Sequence, residues 1–148
     1  PSLRLCHLNM NGTGAALQMS VVPATADRDG GLNVQIAPQQ KKVERAVPPT
    51  FDWEKAVRVK LTFEDTSKLL QVLRGECESL ENGKGLYHQT AEGVCRIEFR
   101  HFIEPVVGYH LALSLRDGRE AGFFMNTAEA CGITEAISCV MGKIAFGL

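Results

Sequence analysis

The chain has 148 residues, enough for a hydrophobic core, and we predict a single domain over residues 1–148. Hydrophobic residues make up 45% and charged residues 22%, and no apolar run reaches the roughly 18 residues of a membrane-spanning helix, so no membrane partner is expected. The net charge of −1 is weak evidence against nucleic-acid binding, but the charges are uneven. Residues 1–63 carry eight Lys and Arg against five Asp and Glu, whereas residues 64–92 carry three against six.

The first half of the chain predicts four strands joined by turns and one long loop. The strands cover residues 3–10, 15–22 and 32–37, and a fourth starts near Trp53. In the fourth, Val57 and Leu61 alternate with Arg58 and Lys60, and Trp53 has the parity of the apolar residues. This strand therefore has one apolar face and one cationic face.

The spacing of the apolar residues changes from that of a strand to that of a helix at the end of this first half. Leu69, Leu70 and Leu73 stand at helical spacing and predict a helix over residues 64–75, with acidic residues at its start and Gly75 at its end. The polar residues 76–85 form a connector.

The second half repeats the same plan. Strands are predicted at 86–89 and 94–103, followed by a hairpin about Asp117-Gly118. In the strand over 94–103, Phe99 and Ile103 are predicted inward and Arg96 and Arg100 outward. The plan is therefore ββββα-ββββα, an α+β fold with two four-stranded antiparallel sheets and two helices.

The last helix is predicted to start at Asn126-Thr127 with Glu129 in a capping box. Five apolar residues behind it stand at i, i+4, i+7, i+8 and i+11 and form one stripe. The pattern fits both a core face and an oligomer interface. The candidate oligomer-interface residues are Ile133, Ile137, Val140, Met141 and Ile144.

Catalytic and metal-binding patterns are missing from the sequence. No serine stands in a Gly-x-Ser-x-Gly elbow, and His101 shares the parity of the inward residues, so a buried, hydrogen-bonded role is expected for it. The five cysteines form no Cys-x-x-Cys pair and cluster with no histidine, which favours free thiols over disulfides or zinc. We expect no enzyme, no metal and no cofactor.

The remaining pattern in the sequence is the set of Lys and Arg residues at outward positions of the predicted strands and in the long loop. Residues two apart on a strand are about 6.6 Å apart, near the spacing of successive phosphates in an extended strand, so adjacent strands could follow a polyanion. The alternative is a solvated sheet face that discourages edge pairing. The candidate RNA-binding residues are Lys41, Lys42, Arg45, Arg58, Lys60, Arg96, Arg100 and Arg116.

Two segments resemble the Whirly proteins. "FDWEK" (51–55) is similar to the start of a Whirly strand, and "GTGAALQMSVVPAT" (12–25) is similar to the Whirly Lys-Gly-Lys-Ala-Ala-Leu hairpin. The chain departs from the plant members at Thr13, where they have the second lysine of that motif, and at Ala56. It looks more like the trypanosomatid mitochondrial guide-RNA-binding proteins, a pair of Whirly-fold paralogues.

The resemblance implies a heterotetramer with two copies of each paralogue, located in the mitochondrial matrix. In that family the sheet surface holds RNA by its phosphate backbone, and the exposed bases allow guide RNA to anneal to pre-mRNA during editing. Two other functions stay open: a single-stranded-DNA-binding Whirly factor of organellar transcription or nucleoids, and an assembly module without nucleic acid.

Overall fold

A computed structural model describes residues 1–40 and 50–148 and has two antiparallel four-stranded sheets, each followed by a helix. The strand orders are β1-β2-β3-β4 and β5-β6-β7-β8. The predicted ββββα-ββββα plan is confirmed. The elements are β1 (Ser2–His7), β2 (Ala15–Val22), β3 (Gly31–Pro38), β4 (Val57–Leu61), α1 (Phe63–Leu73), β5 (Leu86–Thr90), β6 (Gly93–Phe102), β7 (Gly108–Leu115), β8 (Glu120–Met125) and α2 (Thr127–Phe146).

One hydrophobic core lies between the inward faces of both sheets and the helices. Alternate residues of each strand point into it because successive side chains of a strand point to opposite faces. Val34 of β3 pairs with Val59 of β4, and Leu113 of β7 pairs with Ile97 of β6, and all four are at most 4% exposed. The same alternation sends the intervening polar residues outward.

Both helices begin with a capping box. In α1 the side chain of Thr62 accepts from the backbone N–H of Asp65, and Asp65 accepts from the backbone N–H of Thr62. Asn126 and Glu129 make the same reciprocal pair at the start of α2, which confirms the predicted start of that helix.

Each capping-box acid also contacts a histidine from the first strand of the other sheet. Asp65, which follows the first sheet, contacts His88 of β5. Glu129, which follows the second sheet, lies 2.7 Å from Nε2 of His7 in β1, and the His7 ring stacks on Phe123. The two halves of the chain are therefore joined by a pair of equivalent His–carboxylate contacts.

Three details differ from the sequence-based expectation. Trp53 belongs to a 3₁₀ turn, Trp53–Lys55, so the alternation of β4 begins only at Val57. β6 ends at Phe102, and Ile103, predicted inward, is 72% exposed. His101 is only half-buried, and its ring centre lies 4.7 Å from that of Tyr109.

The apolar stripe of α2 faces the core of the chain itself. Ile133, Ile137 and Ile144 are at most 3% exposed, so the core alternative is correct for these three residues. Val140 and Met141 are half-buried and keep surface that another chain could cover, and their place in an oligomer interface stays a prediction. Neither α1 nor α2, the two α-helices of the described residues, is long and apolar enough to span a bilayer.

Ile137→Asp should lower the free energy of unfolding by about 3–5 kcal/mol, because it leaves an unpaired carboxylate in the core. Glu135→Ala, at an exposed position of the same helix, should change it by less than about 0.5 kcal/mol. Urea unfolding followed by circular dichroism measures both. A folded Ile137→Asp monomer of unchanged stability would place Ile137 at a subunit interface instead.

Candidate nucleic-acid interface

The outward face of β1–β4 carries two rows of polar side chains that cross the whole sheet. We call this surface the basic face. None of the residues of its four strands is acidic. The register aligns Arg4, Gln18, Gln35 and Arg58 in one row, and Ser2, Ser20, Asn33 and Lys60 in the next.

Arginines at both ends of the first row bind the glutamines between them. Nε of Arg4 donates to Oε1 of Gln18 at 3.1 Å, and Nε of Arg58 donates to Oε1 of Gln35 at 2.9 Å. Both amide oxygens are thus engaged, while the amide groups keep N–H donors. The row therefore presents cations and neutral donors, which are the groups that bind phosphate oxygens.

The cations of the basic face are held by neutral acceptors. Arg58 also donates to the backbone carbonyl of Trp53 at 2.6 Å, and Nζ of Lys60 donates to the carbonyl of Asp29 at 2.9 Å. The guanidinium of Arg4 lies 4.5 Å from the centre of the Trp53 ring. Among the described residues no carboxylate pairs with Arg4, Arg58 or Lys60, so their charges remain available to an anion.

A groove of about 480 Å³ runs along the basic face, and we call it the basic groove. Its floor includes Asn33, Gln35, Arg58 and Lys60, and its wall is residues 88–90 of β5. The wall comes from the other sheet, and its His88 also contacts Asp65 at the start of α1. Both halves of the chain are therefore needed to form the groove.

The second half forms an equivalent groove of about 680 Å³ with the opposite charge, which we call the acidic groove. The outward face of β6–β8 meets residues 13–15 of the β1–β2 hairpin there, and Glu98 and Glu120 line it. His110 lines it as well, and burial lowers the pKa of its imidazole, partly opposed by Glu98. We therefore expect a polyanion to favour the basic groove over the acidic one.

The predicted RNA-binding residues therefore fall on two surfaces. Arg58 and Lys60 lie together on the basic face, whereas Arg96 and Arg100 lie on the outward face of the other sheet. Arg116 is exposed just beyond β7. The predicted residues Lys41, Lys42 and Arg45 lie outside the described residues.

Acidic residues accompany the arginines of the second sheet. Nη1 of Arg96 lies 3.0 Å from Oε1 of Glu98, and Arg96 also donates to the backbone carbonyl of Lys84. Arg100 lies 3.9 Å from Glu78. Glu98 and Glu120 thus hold outward positions of β6 and β8, on the same surface as these arginines.

Sequence reasoning missed several groups at these surfaces. Arg4 completes the first row, and pairing β1 with β2 in the right register would have placed it beside Gln18. Tyr87 of β5 is also exposed, at 59%, with the guanidinium of Arg96 over its ring. Trp53 supports Arg4 from a turn, a position that strand alternation does not describe.

Three solved structures share the architecture over most of the chain. WHY1 from Arabidopsis thaliana aligns with a TM-score of 0.65 at 18% identity, covering 98% of this chain and 87% of that one. A guide-RNA-binding protein complex bound to a gRNA aligns at 0.66 and 15%, covering 100% and 94%. The plant transcriptional regulator PBF-2 aligns at 0.62 and 16%, covering 97% and 84%.

The chain has the Whirly fold. The resemblance of "FDWEK" and of the first hairpin to Whirly sequences is thereby matched by the architecture. No protein-family model and no curated protein matches the sequence. At 15–18% identity the Whirly likeness establishes the fold, and the function must be argued from the surfaces of this chain.

Replacing Glu98 and Glu120 with Gln should make the acidic groove permissive for a polyanion. We expect affinity for single-stranded RNA to rise about three- to tenfold at low salt and the gain to disappear at high salt, because salt screens exposed charges. Fluorescence anisotropy measures this. The matched control is Glu76→Gln with Glu135→Gln, which changes the net charge equally at exposed positions near the helices. An equal gain in both variants would assign the effect to net charge rather than to the groove.

Proposed function

We propose that the chain holds single-stranded RNA by its phosphate backbone on the basic face and promotes annealing of guide RNA to pre-mRNA in kinetoplastid RNA editing. The observation that carries the proposal is the row Arg4–Gln18–Gln35–Arg58, whose cations face no carboxylate among the described residues. The Whirly fold, shared with a protein complex bound to a gRNA, supports it.

The chemistry of the basic face suits an annealing factor. Contacts to phosphate carry no sequence information, so a strand held through them can have any sequence. A strand held by its backbone leaves the pairing edges of its bases free for a complementary strand. The net charge of −1 is compatible with this role because the acidic residues concentrate in the helix and connector, the acidic groove and the turns.

The resemblance to the guide-RNA-binding proteins also motivates proposals about assembly and location. We propose a heterotetramer with a paralogous Whirly-fold subunit in the mitochondrial matrix. Val140 and Met141 offer half-buried apolar surface on α2 for such a contact.

A second candidate function is single-stranded-DNA binding in organellar transcription or nucleoids. The observation that favours it is the comparable structural match to WHY1 and to a plant transcriptional regulator. A competition titration with DNA and RNA of the same sequence separates the two, since displacement of RNA by an equal amount of DNA supports the DNA function. An assembly module without nucleic acid would retain neither strand at low salt.

Arg58→Gln with Lys60→Gln should weaken binding of unrelated RNA sequences to a similar extent. The slope of log affinity against log salt should flatten by about 0.7 for each lost phosphate contact, because fewer counterions are released. Anisotropy titrations over a salt series measure the slope, and circular dichroism checks the fold.

The matched control is Arg74→Gln with Lys143→Gln, which removes two exposed cations from the helical side of the chain. This pair should leave the slope unchanged. An unaltered slope in the Arg58/Lys60 variant, or an equal loss in the control, would remove the basic face from the binding site.

A further inference from the structure

The second sheet carries an apolar hollow at the end of its outward face. The register aligns Arg100, His110 and Phe124 across β6, β7 and β8. The hollow measures about 440 Å³, and Phe102, Pro105, Val106, His110 and Phe124 line it. Three aromatic rings lie together there, whereas the neighbouring outward positions Ala112, Ser114 and Gly122 of β7 and β8 are small residues.

Two glycines leave room for two of these rings to lie close to the backbone of the sheet. A Cβ atom at Gly122 would lie 2.7 Å from Nε2 of His110, and one at Gly108 would collide with Cζ of Phe124. Side chains at these positions would push the rings outward. The glycines thus let His110 and Phe124 lie close to the backbone as the floor of a shallow site, while Phe102 stands edge-on to His110, at 74° and 6.4 Å between ring centres, as its wall.

A cation stands at the rim of the hollow. The guanidinium of Arg100 lies 5.4 Å from the centre of the Phe102 ring, and 59% of the Arg100 side chain is exposed. Glu78 approaches it only to 3.9 Å, so the charge is weakly paired. The lining residues carry no carboxylate, and burial holds the pKa of His110 below its ordinary value, which keeps the floor uncharged at neutral pH.

We propose that this hollow binds one unstacked nucleobase of the bound RNA strand on Phe102, His110 and Phe124, while Arg100 contacts the adjoining phosphate. A flat apolar ligand with a negative charge beside it matches an aromatic floor with one cation at the rim. A basic peptide would lack an acidic partner in the lining. The proposal rests on the proposed function and adds a base contact to the phosphate contacts of the basic face.

A site for a single base changes how firmly the chain fixes the position of a bound strand. Contacts to phosphate alone let a strand slide, whereas one held base fixes its position on the protein. The remaining bases stay free to pair. The hollow contacts the aromatic face of a base. Because every base has such a face, the sequence preference stays small.

The test compares oligouridine RNA with an abasic ribose-phosphate oligomer of the same length and charge. The chain should bind the oligouridine about fivefold more tightly or better. Phe102→Leu with Phe124→Leu should abolish this ratio and leave the salt slope unchanged, because leucine keeps the surface apolar and removes the stacking faces. The matched control is Phe63→Leu with Phe146→Leu, two exposed phenylalanines on the helices, which should keep the ratio.

Equal binding of both oligomers with a steep salt slope would overturn the base site and leave the proposed function intact. Failure to bind either oligomer at low salt would overturn both. The proposal would be wrong if Phe102→Leu with Phe124→Leu lowered the affinity for both oligomers equally. It would also be wrong if this variant changed only the mass of the protein assembly measured by light scattering, because the hollow would then be a contact between protein chains. Should that double variant misfold, Phe102→Leu alone decides, since a retained ratio would contradict the proposal.

Discussion

The burial of Val57, Val59 and Leu61 in β4 is the constraint on which the basic face depends. Successive side chains of a strand point to opposite faces, so these three residues in the core place Arg58 and Lys60 outward. A shift of one residue in the register would exchange the two sets and put both cations in the core. The hydrophobic effect that folds the sheet therefore also positions the cations that we propose bind phosphate.

The two halves of the chain use the same architecture for different surfaces. Each sheet is followed by a helix whose capping-box acid contacts a histidine of the other half, and each outward face meets the first hairpin of the other sheet. The grooves formed in this way have opposite charge, because Arg58 and Lys60 line one while Glu98 and Glu120 line the other. The net charge of −1 hides this division of charge between the two grooves.

Much of the fold could be predicted from the sequence because the signals are local. Alternation in β3 and β4 and the Asn126–Glu129 capping box are properties of a few neighbouring residues, and the structure confirms them. The errors come from residues whose environment depends on distant contacts or on a change of backbone conformation. Trp53 has the parity of the inward residues, but the 3₁₀ turn moves its ring under Arg4.

The candidate site was predictable only in part for the same reason. Arg58 and Lys60 follow from alternation, but Arg4 joins them only through the pairing of β1 with β2. The aromatic hollow joins the ends of three strands, and the glycines that make room for its rings lie far from them in sequence. The stripe on α2 was ambiguous because a core face and an interface face have the same period, and burial within the chain decides it for Ile133, Ile137 and Ile144.

RNA bound on the basic face should shield Lys60 from acetylation, which lysine acetylation footprinting measures. Lys60 lies in the row that crosses this face, while Lys143 lies on α2 at the helical side of the chain. Saturating single-stranded RNA should slow the acetylation of Lys60 severalfold and leave that of Lys143 unchanged, as read by mass spectrometry of the digested protein. An unchanged rate at Lys60 under saturating RNA would show that the strand binds elsewhere and not on the basic face.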